Sequence, residues 1–249
     1  MQTRRRFLIG VPAVVAAAMV VPTGAAALAT TPRQSPIHIR SHKAVSAPDL
    51  PELVVDYPDH VDVHVHYVRK DQDDPNGCNL RHHEEVVEAE VPAGAAAVEL
   101  DGVRYELLQF HFHSQSEHVL DDRRFPIEQH FVHRGPDGQT LVLGLFLAGG
   151  GSGGTYQDAV LREMPQECGE EFEVSGDLAA ALPSDLSTFR YDGSLTTAPF
   201  TEGVSWLVLK EPVRVAQETV ERHQAFFPDG NSRDVQPLNG RVVRYREQR

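Results

Sequence analysis

An alternation of apolar and polar residues with a period of two runs through most of this chain, and no other feature constrains the fold as much. It is carried by 52–57 (ELVVDY), 61–69 (VDVHVHYVR), 85–91 (EVVEAEV), 103–113 (VRYELLQFHFH), 127–134 (IEQHFVHR), 140–147 (TLVLGLFL), 204–210 (VSWLVLK) and 241–246 (RVVRYR). Neighbouring side chains of a strand face opposite sides, so runs of this kind bury one face of a sheet. Gly, Pro and Asp turns, such as Gly135-Pro136-Asp137-Gly138, send the chain back for the next strand. Helical spacing appears only at 155–164 and 215–227. The expectation is a mainly β protein with a single large, mostly antiparallel twisted sheet and short peripheral helices. The glycine run 148–154 lacks the Gly-Lys-Ser/Thr of a phosphate loop and is read as a surface loop, as is 71–77.

Residues 1–29 stand apart from this pattern. Arg4 and Arg5 precede Phe7 and Leu8, an Ala/Val-rich stretch follows, and Ala27-Leu28-Ala29 gives an A-x-A cleavage site. The apolar stretch is short and contains Pro12 and Pro22, which argues against a membrane anchor. The segment reads as a twin-arginine-type signal peptide. The expected mature protein is residues 30–249, one domain, secreted or held in the periplasm or cell envelope, with no stable membrane association after cleavage. The 249-residue chain carries a net charge of −13, and losing 1–29 removes three arginines and no acid. Such a surface repels phosphate backbones and anionic lipid, which excludes nucleic acid as an expected partner. In an oxidising compartment Cys78 and Cys168 could form one disulfide or remain free; neither has redox or zinc-ribbon spacing.

The chemistry is concentrated in 107–118 (LLQFHFHSQSEH). Strand parity projects Gln109, His111 and His113 to one face, and places Leu108, Phe110 and Phe112 on the other, toward the core. In the next alternating run Glu128, His130 and Val132 share a face. If the two runs pair as a hairpin, His130 completes a set of three imidazoles, the donor set of a catalytic zinc with one open position. Gln109 and Glu128 then supply the acceptors that hold the second ring nitrogens. An H-x-H pair alone is weak evidence: His64 and His66 also alternate, but read as exposed strand histidines, and His82-His83 as surface.

The order of these motifs resembles the α-class carbonic anhydrase family. QFHFH (109–113), SEH (116–118) and EQHFVH (128–133) match that family's metal run, while QSPIHI (34–39), SLTTAPFTEGVSWLVL (194–209) and NSRDVQPLNGR (231–241) match its other motifs in order. The resemblance implies Zn²⁺ on His111, His113 and His130, with Gln109 and Glu128 supporting them. It implies reversible hydration of carbon dioxide to bicarbonate and a proton through a zinc-bound hydroxide. Thr196 would accept that hydroxide's hydrogen bond and donate its own to Glu117, and its backbone amide would receive developing negative charge. Val132, Val142, Leu195, Thr197 and Trp206 would form the substrate pocket.

The chain also departs from the family pattern. Glu85 falls where the family's usual proton-shuttle histidine lies, with His82 and His83 nearby as alternatives. Phe200 stands where bacterial relatives often carry a cysteine, Ala198 replaces a proline, and Arg134 replaces a tryptophan. Two other functions remain consistent with the motifs: a catalytically silent binding protein of the same family, and an exported zinc-binding protein using the additional histidines.

Overall fold

The alternating runs become strands because each buries the apolar half of its side chains against a shared core. The structure, a computed structural model, describes residues 31–69, 85–162, 164, 165 and 169–249. The signal-like segment, Cys78, Cys168, His82 and His83 lie outside the described residues. In chain order the strands are β1 (His38–Ile39), β2 (Val45–Ser46), β3 (Leu53–Asp56), β4 (Val61–Val68), β5 (Val86–Glu90), β6 (Ala97–Leu100), β7 (Val103–His113), β8 (Val119–Leu120), β9 (Ile127–Arg134), β10 (Thr140–Gly151), β11 (Glu171–Gly176), β12 (Thr188–Ser194), β13 (Glu202–Leu209), β14 (Val213–Ala216) and β15 (Arg244–Arg246). Thirteen of them form one sheet whose main path runs β11-β4-β5-β7-β9-β10-β13-β12-β15-β2. Most pairings are antiparallel; β10 runs parallel to β13 and β14, and β15 parallel to β2. The sheet is therefore mixed, with the expected antiparallel majority.

Among the described residues two α-helices lie outside the sheet, α1 (Tyr156–Val160) and α2 (Gln217–Phe226). Thr155 and Asp158 start α1 with a reciprocal capping box. Among the described residues no helix is long and apolar enough to cross a membrane.

The two faces of the central strands bury different things. Leu107, Phe110, Phe112, Phe131, Leu143 and Leu207 belong to the larger core cluster, and each fully buried side chain of this size contributes about 1.5–3 kcal/mol. Val142, Phe146, Val204 and Trp206 belong to the second cluster, on the face that carries the histidines. The strands that hold the site are thus anchored from both sides.

Two sequence expectations need correction. Leu108 is not in the core: it is 39% exposed, while Leu107 is 1% exposed. The β7–β9 register shifts between Leu107 and Gln109, so a β-bulge places two residues where one would fit and reverses the parity upstream of the metal run. The glycine run is also not wholly a loop, because β10 continues through Gly151 and pairs with β14. Gly150 has φ +84°, and a Cβ on Gly151 would lie 2.5 Å from the Arg214 carbonyl oxygen. The glycines allow a bulged strand to approach its neighbour where side chains would collide.

Candidate metal centre

Pairing of β7 with β9 sets His111 directly opposite His130, and His113 opposite Glu128. The ring centroids of His111, His113 and His130 lie 4.7–5.3 Å apart. One ligating nitrogen from each falls within 4.8 Å of the others. All three rings are buried, at 8%, 1% and 1% exposure.

The opposite edge of each ring is held by an acceptor. His111 Nδ1 lies 2.8 Å from Gln109 Oε1, His113 Nδ1 lies 3.0 Å from the Asn231 carbonyl oxygen, and His130 Nε2 lies 2.9 Å from Glu128 Oε1. A proton at each of these positions leaves the inward nitrogens, His111 Nε2, His113 Nε2 and His130 Nδ1, as lone-pair donors. His113 Nε2 is buried with no hydrogen-bond partner. A buried imidazole lone pair left unmatched is costly in a folded protein. Three converging neutral imidazoles fit Zn²⁺ in donor type and number.

The electrostatics favour the neutral form of His111 and His113. Burial, then the adjacent His113 and His130, hold the His111 pKa well below the ordinary histidine value. Burial also lowers His113, against an opposing effect of Glu117. For Glu128, burial alone would raise the pKa, but His118 and His130 outweigh it and hold the carboxyl well below the usual carboxylate range. Glu128 therefore stays an anionic acceptor at the back of the site. Gly144 lies opposite His130 on β10, and a Cβ there would sit 3.3 Å from Glu128 Oε1, so glycine leaves this carboxylate its space.

His118, Glu128 and His130 also converge, but as a hydrogen-bonded chain. His118 Nδ1 lies 2.6 Å from Glu128 Oε1, and its Nε2 lies 2.7 Å from Tyr191 Oη. Both ring nitrogens are occupied, and the His118 backbone N–H donates to Glu128 Oε2 at 2.8 Å. This network fixes the carboxylate that orients His130. The sequence alone assigns no role to His118, Tyr191 or the Asn231 carbonyl. His118 and Asn231 lie inside recognised motifs, but their contacts depend on distant strands.

Glu117 is 1% exposed and accepts the Arg233 backbone N–H through Oε1 at 2.8 Å, while Oε2 is buried without a partner. That second oxygen is 3.9 Å from His130 Nδ1. Thr196 is 6% exposed, and no hydrogen bond joins it to Glu117 among the described residues. A cavity of about 440 Å³ opens onto His111, with Gln109, Glu88, Val86, Thr197 and Ala198 in its wall. Val132, Val142, Leu195 and Trp206 belong to one apolar cluster, and the Trp206 ring lies 4.8 Å from that of His130. Indole Nε1 donates to the Ser194 carbonyl at 2.9 Å, fixing the ring.

Glu85 is 2% exposed and accepts a hydrogen bond from Tyr67. On β4, His64 is exposed as expected, but His66 is only half-buried and pairs in register with Glu88, which pairs in turn with His111. His66 Nε2 lies 3.8 Å from Glu88 Oε1. The H-x-H set aside in the sequence thus contributes one ring to the same cross-strand row as the metal ligands.

A family model for eukaryotic-type carbonic anhydrase matches residues 24–247. The chain belongs to this family. A carbonic anhydrase of Neisseria gonorrhoeae is 37% identical over 170 residues, covering 68% of this chain and 67% of that protein. Among solved structures, the α-carbonic anhydrase of Thermovibrio ammonificans, in complex with the inhibitor sulfanilamide, superposes with a TM-score of 0.72 at 35% identity, covering 85% of this chain and 86% of that one. A Chlamydomonas reinhardtii carbonic anhydrase in complex with acetazolamide superposes with a TM-score of 0.72 at 30% identity, covering 94% and 99%. The mainly β architecture is thus that of carbonic anhydrases.

Proposed function

We propose that this carbonic anhydrase homologue hydrates carbon dioxide reversibly to bicarbonate and a proton, with Zn²⁺ held by His111, His113 and His130. The observation that carries the reading is the set of three converging nitrogens whose outer partners are already in place. A zinc ion bound there supplies a Lewis acid that brings the pKa of its water to about 7, a value for which carbonic anhydrases are themselves the type case.

The remaining work falls to side chains of this chain. Val132, Val142, Leu195 and Trp206 hold a small apolar substrate away from competing polar groups, and Thr197 lines the opening. Glu117, with Oε2 buried and unpartnered, accepts a hydrogen bond from the Thr196 hydroxyl once the site is loaded, which fixes the direction of the Thr196 oxygen. The Thr196 backbone amide faces the substrate oxygen on which negative charge develops. Glu88 and His66 supply proton-accepting groups on the open side; His82 and His83 remain further candidates for carrying the released proton.

Export through a twin-arginine-type signal remains part of this reading, on the strength of Arg4, Arg5 and the Ala27-Leu28-Ala29 site. The test is stopped-flow carbon dioxide hydration on protein with measured zinc content. Catalysis that rises in proportion to zinc, to one ion per chain, supports the proposal. Stoichiometric zinc without catalysis would instead indicate the silent binding protein, and several zinc ions per chain the metal-buffering one.

A further inference from the structure

A second concentration of charge lies on the opposite face of the sheet from the histidines. On β12, Arg190 pairs with Leu207 of β13 and stands directly across from Arg244 of β15, while Arg246 stands across from Thr188. Like charges placed opposite one another on adjacent strands repel. Arg190 is also 7% exposed. Its Nε donates to Thr188 Oγ1 at 2.8 Å and its Nη1 to the Pro51 carbonyl at 2.7 Å. Its Nη2 is buried with no partner.

Among the described residues Arg190 and Arg244 have no carboxylate partner, whereas Arg246 is paired with Glu52 at 2.8 Å. Burial and the neighbouring Arg246 lower the Arg190 pKa, but only to about 10, so the guanidinium stays charged at neutral pH. A buried cation without a counter-charge is strongly disfavoured.

Arg190 borders a cleft of about 420 Å³ that also exposes Arg33, Arg241 and Arg244, against a single carboxylate, Asp192. Asp192 is engaged by Arg33 at 3.2 Å. Arg241 is spent on backbone carbonyls, those of Asp192 at 2.9 Å and Gln34 at 2.6 Å. Four guanidinium groups thus face one engaged carboxylate, and Arg190 and Arg244 have no carboxylate partner among the described residues, in a chain whose net charge is −13. Leu50, Leu100 and Val242 add apolar lining to the cleft.

We propose that this cleft is an anion site for a small organic carboxylate, which pairs with the exposed Arg244 guanidinium, places its charge beside the buried Arg190 and rests its carbon body toward Leu100 and Val242. Planar guanidinium donors match a planar carboxylate, and the apolar wall suits a carbon body that phosphate lacks. Arg190 stands on the face opposite the histidines, although Tyr191 and Trp206, which pack near the metal centre, also border the cleft.

The test uses the full zinc-loaded chain with isotope-labelled arginine side chains, titrated with sodium benzoate, sodium formate or inorganic phosphate at ionic strength held constant with sodium chloride. The Arg190 Nε–H resonance should shift saturably with benzoate, and Arg244→Gln should weaken that binding by about tenfold or more through loss of a charge-assisted contact. Arg244 is exposed, so this variant keeps the fold. Formate should bind more weakly than benzoate for want of the apolar wall. An unmoved Arg190 resonance, a non-saturating shift shared with other arginines, binding unchanged in Arg244→Gln, or preference for phosphate over benzoate would overturn the proposal.

Discussion

His111 and His130 stand directly opposite one another on β7 and β9, their rings 5.3 Å apart and inclined at 85°. The two imidazoles direct lone pairs toward one point with their outer nitrogens pinned at different positions. Gln109 pins Nδ1 of the first and Glu128 pins Nε2 of the second. The register, more than any single residue, creates the donor set.

His130→Ala should abolish stoichiometric zinc binding. Two ligands remain, and affinity should fall by more than the roughly 10–100-fold that follows loss of an outer hydrogen-bond partner. Metal analysis after dialysis against a chelator checks this; one retained zinc per chain would refute the ligand set.

Gln109→Ala separates orientation from ligation. All three ligands stay, but the His111 ring loses the acceptor at Nδ1, and zinc affinity should drop roughly 10–100-fold. Competition with a chelating dye measures it. An unchanged affinity would show that sheet packing alone fixes the ring.

Thr196→Ala should retain zinc and lower hydration turnover by about 10²-fold, the scale of misplacing a reacting group. Thr196→Ser, which keeps the hydroxyl, should recover most of that loss. Glu117→Gln should resemble Thr196→Ala in turnover while leaving zinc content near one ion per chain.

Buried histidines away from the metal give the stability of the fold a pH signature. Burial lowers the pKa of His133 to about 4 and of His223 to about 3, from an ordinary value of 6.5. Above the ordinary value each ring is neutral whether folded or not. As pH falls below about 6.5 the unfolded chain takes up protons first, so stability falls, down to pH about 4 for His133 and about 3 for His223. Near pH 5 each histidine contributes a slope of about 1.4 kcal/mol per pH unit. Urea unfolding of His223→Phe across this range should show a slope reduced by about that amount; an identical slope would mean that His223 already exchanges its proton in the fold.

The bulge predicts an asymmetry between neighbours of identical chemistry. Leu107→Ala should cost about 2–5 kcal/mol, whereas Leu108→Ala should change stability by about 0.5 kcal/mol or less. Chemical denaturation of both variants checks it, and equal losses would place both side chains in the core.

That bulge also marks where the sequence stopped being legible. The metal run was readable because strand parity at 111 and 113 and a single hairpin to 130 are local relations. Parity upstream of Gln109 was not, since an extra residue in one strand leaves no compositional trace. Likewise the end of β10 was concealed: a glycine run looks like a loop until the Arg214 carbonyl beside Gly151 shows why side chains are excluded. β12 is hidden by its Asp-Gly, and β14 overlaps the start of the run 215–227, whose spacing reads as helical. The links from His118 to Tyr191 and from His113 to Asn231 join residues 73 and 118 positions apart, beyond the reach of any local pattern.

The parallel alignment of β10 with β13 divides the centre by the time of its assembly. Parallel neighbours cannot be joined by a tight turn, and here β11, β12, α1 and their connections intervene between Gly151 and Glu202. Closing so long a segment is slow compared with forming the short β7–β9 hairpin. The hairpin that carries the three histidines is local in the chain, whereas the strand that carries Trp206 reaches its place beside β10 only through a long crossover. The centre thus joins a short-range donor set to a wall supplied from far along the chain, and the acceptor behind His113, Asn231, comes from farther still.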